Sequence, residues 1–78
     1  MENTELTFGQ KACGVSFNPG GREDVDKIKR AFADLVDILN EHRSLDDATP
    51  ETKRMLSIAI TEAQTAQMWA VKAITWTN

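Results

Sequence analysis

Phe17, Asn18, Gly20 and Gly21, with Lys27, Lys29 and Arg30 following within three helical turns, are the residues whose types and spacing point to binding chemistry. An aromatic ring offers a face to a nucleobase, a contact worth about 1–3 kcal/mol in single-stranded nucleic-acid complexes. The glycines of Asn18-Pro19-Gly20-Gly21 let an anion approach the backbone. A helix starting just beyond them presents unpaired N–H groups and the positive end of its dipole. With the three cations these groups describe a nucleotide pocket. A plainer reading fits the same residues: a turn with Phe17 as its hydrophobic anchor, and Lys27 and Arg30 paired to Asp24, Asp26 and Asp34 at helical spacing. The residues alone leave both open.

Catalysis needs at least two cooperating groups, such as a histidine beside a nucleophile or a pair of buried carboxylates. His42 is the sole histidine, and Glu62, the one acid on a largely apolar stretch, lies several turns from Lys72. The chain therefore reads as a binder and not an enzyme. No ligand spacing for a metal surrounds His42, and no cofactor is implied. Trp69 and Lys72 sit three residues apart, with Trp76 continuing the same side. That arrangement suits a stacking platform with a cation beside it, or subunit packing by large aromatics. Packing is the better reading for Trp76. Glu62, Gln64, Thr65 and Gln67 read as interface or solvent groups, and Cys13 as a small reduced filler.

The elements that must position these groups are legible. Val25, Ile28, Phe32, Leu35 and Leu39 recur at three/four spacing with charges on the other faces, which predicts an amphipathic helix over 22–41. Thr49-Pro50-Glu51 carries a capping hydroxyl, a proline for the first helical position and an acid, and predicts a second helix over 49–76. The short connection from His42 to Ala48 folds the two into an antiparallel hairpin. Residues 1–21 form an N-terminal segment and loop, with a short helix or strand around Thr4 to Ala12 anchored by Leu6 and Phe8. The fold class is all-α, in a single helical domain over 1–78.

Ala59, Ala63, Ala66, Ala70 and Ala73 repeat at steps of four, three, four and three, so they line one stripe of the second helix. Side chains this small admit a partner helix closer than the usual 8–10 Å or so. Met55, Ile58, Trp69 and Trp76 flank one side of the stripe, and Ile60, Val71 and Ile74 the other. That arc is wider than one helix can cover, which predicts a homo-oligomeric helical bundle. Its interface is expected at Ala59, Ala63, Ala66, Trp69, Ala70, Ala73 and Trp76. A chain of 78 residues buries only about 60% of its unfolded surface. With a single cysteine and no metal cluster, self-association is the remaining source of stability. A net charge of −3 disfavours DNA or RNA polymers. Nothing reads as a signal peptide or a membrane span, so a cytoplasmic, soluble protein is expected.

The combination Phe17-Asn18-Pro19-Gly20, Val25-Asp26-Lys27-Ile28-Lys29, Glu62 and Met68-Trp69-Ala70-Val71-Lys72-Ala73 resembles the small phage anti-CBASS sponge proteins. The resemblance implies a homohexamer of helical hairpins acting in the host cytoplasm. Between its protomers it would capture cyclic dinucleotides such as cyclic GMP-AMP, and some members of the family take cyclic trinucleotides in separate pockets. It also implies that the messenger is held uncleaved, so that the host's immune effectors stay inactive. Carried onto this chain, the family's aromatic-asparagine pair falls on Phe17 and Asn18, and its basic residue on Lys27 or Lys29. Phe17 stands where some relatives carry tyrosine, which keeps the stacking face and loses a hydroxyl. On the helical reading Lys27 is the more exposed lysine, while Lys29 lies nearer the apolar edge and could reach across a subunit boundary. The runner-up is a self-assembling adaptor with no nucleotide ligand; a phosphodiesterase comes third.

Overall fold

A computed structural model describes residues 5–77. Among the described residues there are three helices: α1 (Phe8–Ala12), α2 (Glu23–Arg43) and α3 (Pro50–Thr75). There is no strand among the described residues, and Thr4, the first residue of the expected N-terminal element, lies outside them. α2 and α3 form the hairpin, and α1 packs on α2.

Each helix starts for a local reason. Thr7 accepts from the Gln10 N–H at 3.1 Å and Gln10 Oε1 accepts from the Thr7 N–H at 2.9 Å, a reciprocal capping box for α1. α2 begins after Arg22 without a side-chain cap, but Glu23, Asp24 and Asp26 occupy its first turn, and His42 and Arg43 its last. Thr49 accepts from the Thr52 N–H at 3.1 Å, and Pro50 fills the first position of α3.

The core joins Cys13 and Val15 after α1, Ala33 and Val36 of α2, and Ile60 and Ala63 of α3. The buried stripe of α2 is Val25, Lys29, Ala33 and Val36, which corrects the expected one. Leu35 is 43% exposed and Phe32 only partly buried, because α1 and the turn after it press on one flank of α2 while α3 presses on the other. Gly9 makes that approach feasible: a β-carbon there would lie 2.1 Å from the Ala33 carbonyl oxygen. Asp37 fastens the contact, its carboxylate accepting from the Thr7 hydroxyl and the Gly9 N–H, each at 2.7 Å. Leu6 packs against this core, whereas Phe8 is 45% exposed with the Arg43 guanidinium over its ring.

The alanine ladder divides. Ala63 belongs to the chain's own core, Ala59 and Ala70 are half-buried, and Ala66 and Ala73 are exposed. The inward stripe of α3 is Ile60, Ala63 and Gln67, which crosses the ladder at Ala63 instead of following it. Gln67, expected among interface or solvent groups, is therefore buried. Gln64 donates to the Ala12 carbonyl at 3.2 Å and closes the end of α1, while Glu62 is exposed. Among the described residues no helix is long and apolar enough to cross a membrane.

Candidate functional site

Between α1 and α2 the backbone makes two consecutive turns. Gly14 and Gly21 both adopt φ of 61°, a left-handed conformation that glycine takes without strain. The Phe17 N–H donates to Gly14 O at 3.0 Å, and the Gly21 N–H to Asn18 O at 2.9 Å. Asn18 acts as the clasp of the second turn: its Nδ2 donates to Arg22 O at 2.8 Å and its Oδ1 accepts from the Arg22 N–H at 3.4 Å. Val15 is sunk in the core. Held at both ends in this way, the loop carries Phe17 outward, 70% exposed. Phe17 is thus a presented ring and not the buried anchor of the plainer reading.

Lys29 holds the loop from below. It is buried, and its ammonium donates to Gly14 O at 3.1 Å and to Phe17 O, while standing 5.5 Å from the centre of the Phe17 ring. Arg22 ties the loop to the far end of α3. Its Nη2 donates to Ile74 O at 3.1 Å, and its Nε and Nη2 grip the Asp24 carboxylate at 3.0 and 2.6 Å. That grip, more than the hydrogen bond from the Val25 N–H, holds the Asp24 carboxyl below its ordinary range. The result is a hollow of about 330 Å³. Its walls are the loop from Phe17 to Gly20, then Arg22, Val25 and Lys29, and across from them Val71 and Thr75 of α3.

Phe17, Asn18, Gly20 and Lys29 of the expected binding residues meet at this hollow, while Gly21 shapes the turn behind it. Lys27 and Arg30 are not on its wall. Lys27 is exposed and its side chain makes no hydrogen bond or ion pair with a described residue. Arg30 is paired with Asp26 at 3.0 Å, as the plainer reading expects. The Lys29 ammonium is engaged by the loop carbonyls of its own chain. Arg22, Val25, Val71 and Thr75 are wall residues that the sequence reading left out. Arg22 had a signal, as a cation directly after the two glycines. Val71 and Thr75 share a face at i, i+4, but only the packing of α3 against the loop brings that face here.

A second hollow, of about 380 Å³, lies on an exposed face of α3 between Trp69, Lys72, Ala73 and Trp76. The Lys72 ammonium stands 5.2 Å from the Trp69 ring and 5.6 Å from the Trp76 ring. The indoles are 65% and 59% exposed. This hollow offers fewer groups that could orient a polar ligand. The loop hollow combines a presented ring, backbone turns, an amide and a guanidinium. It can stack a flat ring and hydrogen-bond an anion. Among the described residues no group of His, Cys, Asp and Glu could hold a metal ion.

The family model described as Acb2/Tad1, hairpin domain, matches residues 7–75, from the cap of α1 to the last residue of α3. The chain belongs to the Acb2/Tad1 family. This is the family of anti-CBASS cyclic-oligonucleotide sponges. The match takes in the Phe17 loop together with all three helices. No curated protein and no solved structure matches the chain.

Proposed function

We propose that this Acb2/Tad1 member is a phage anti-defence sponge that captures cyclic dinucleotides such as cyclic GMP-AMP and holds them uncleaved in the host cytoplasm. The observation that carries the reading is the exposed Phe17 ring, fixed by the loop and backed by a buried cation at the mouth of a hollow that Asn18 and Arg22 also line. A nucleobase stacks on the free face of that ring. Loop N–H groups and the Arg22 guanidinium meet the phosphates, with Lys27, exposed elsewhere on α2, as a further candidate cation. Cyclic trinucleotides form a second ligand class.

Capture of this kind is stoichiometric, and a sponge that competes with a receptor must bind tightly, each tenfold in affinity requiring about 1.4 kcal/mol. The loop hollow is open on one side, so a second protomer closing over the ligand supplies further contact. A homohexamer, as the resemblance implies, places such pairs around one assembly.

Titration calorimetry with cyclic GMP-AMP and a cyclic trinucleotide, on the parent and on Phe17→Ala, tests the assignment. Loss of a stacking contact of about 1–3 kcal/mol lowers affinity roughly 5- to 150-fold. Equal affinity of the two proteins removes Phe17 from the site. Absence of heat with every cyclic nucleotide removes the sponge reading and leaves a self-assembling adaptor.

A further inference from the structure

We infer that Lys29 is a positioning residue for Phe17, acting on the ligand through the ring and not by touching a phosphate. The inference rests on the reading of Phe17 as the base-stacking residue. Lys29 is only 7% exposed, and no carboxylate pairs with it among the described residues. A buried cation without a counter-ion is costly unless its donors are satisfied. An ammonium has three N–H donors. Gly14 O takes one and Phe17 O a second, and the side of the ammonium toward the Phe17 ring faces a π cloud 5.5 Å away.

These partners lie at the two ends of a single turn, because Gly14 O also accepts from the Phe17 N–H at 3.0 Å. One side chain from α2 therefore closes the turn and backs the aromatic residue that the turn presents. A ligand phosphate that drew the ammonium outward would loosen it from both carbonyls, undoing the loop that shapes the hollow. Left where it is, the ammonium fixes the backbone of Phe17 and covers one face of the ring, so the opposite face is oriented before any ligand arrives. Ordering the loop in advance removes an entropic cost that binding would otherwise carry.

Amide hydrogen exchange tests the pinning without any ligand. In Lys29→Met the Phe17 N–H exchanges roughly tenfold faster or more, while amides in the middle of α2 and α3 keep their protection. Lys29→Gln retains one donor group, and gives an intermediate rate should the methionine variant fold poorly. Unchanged Phe17 exchange in a folded variant overturns the inference.

A double-mutant cycle with cyclic GMP-AMP then separates positioning from contact. Lys29→Met weakens binding in the parent and has no further effect in the Phe17→Ala background. A loss of the same size in both backgrounds identifies a direct phosphate contact and overturns the inference. Fast exchange in the variant with no binding by the parent leaves the pinning in place and sinks only the stacking assignment.

Discussion

Cys13 illustrates how burial sets the chemistry of a single side chain. Its thiol is 3% exposed in the core beside the loop, and burial pushes its pKa up. The Asp37 carboxylate raises it further, and the Lys29 ammonium partly offsets the rise. Nucleophilic attack requires the thiolate, so the folded chain presents a poor nucleophile at neutral pH. Alkylation by iodoacetamide at pH 8 is expected to be at least roughly tenfold slower than in the urea-unfolded chain, followed by mass spectrometry. Equal rates would show an accessible thiol and contradict the packing of Val15 and Cys13 behind the loop. The same scale marks what the sequence withheld. A lysine two residues from another looks equivalent on paper, but Lys27 faces solvent while Lys29 lies on the buried stripe between Val25 and Ala33. Helical periodicity places Lys29 near the apolar edge. The two carbonyls that take up its charge are 12 and 15 residues away, and no local pattern encodes them.

The helices divide by how local their causes are. α3 is legible because Thr49, Pro50 and Glu51 specify its start within three residues, and α2 because charges and apolar side chains alternate at helical spacing. α1 has five residues, too few to persist alone. Its capping box is local, but its position depends on Asp37 of α2 and on the missing β-carbon of Gly9. The consequence is a testable exception to helix propensity. Gly→Ala inside a helix ordinarily stabilises by about 1 kcal/mol. In this chain the new methyl would lie 2.1 Å from Ala33 O and 2.8 Å from Asp37 Oδ1, and backbone cannot yield cheaply. Gly9→Ala is expected to destabilise by about 1–3 kcal/mol, read as a lower urea midpoint together with loss of protection at the Gly9–Cys13 amides. An unchanged or higher midpoint would mean that α1 is not seated as described. The Phe17 loop follows α1 directly, so the seating of this short helix also sets where Phe17 stands.

As a whole, the protomer is extended for its length. Its radius of gyration is 14.2 Å, against about 11.5 Å for a compact domain of this size, and its thin dimension is 12 Å, close to the diameter of one helix. A layer this thin leaves large apolar side chains uncovered: Ile38, Met55, Met68, Trp69 and Trp76 are each more than half exposed. Ala66 and Ala73 stay open beside the two indoles, where a second helix could approach closely. The hairpin was readable from the sequence because periodicity and caps are properties of one chain. The share of the alanine ladder left for partners was not, since that depends on where α2 crosses α3. We propose that copies of the hairpin assemble through this open face, and that assembly closes the loop hollow over its ligand.

Capture of an intact messenger by an assembly is the central claim, and native mass spectrometry with and without cyclic GMP-AMP tests it most directly. The expected result is a multimer, six copies in the proposed form, that carries a whole number of ligands of unaltered mass and releases them unchanged on denaturation. A ligand-free monomer at micromolar concentration, or recovery of a linear dinucleotide, would contradict it.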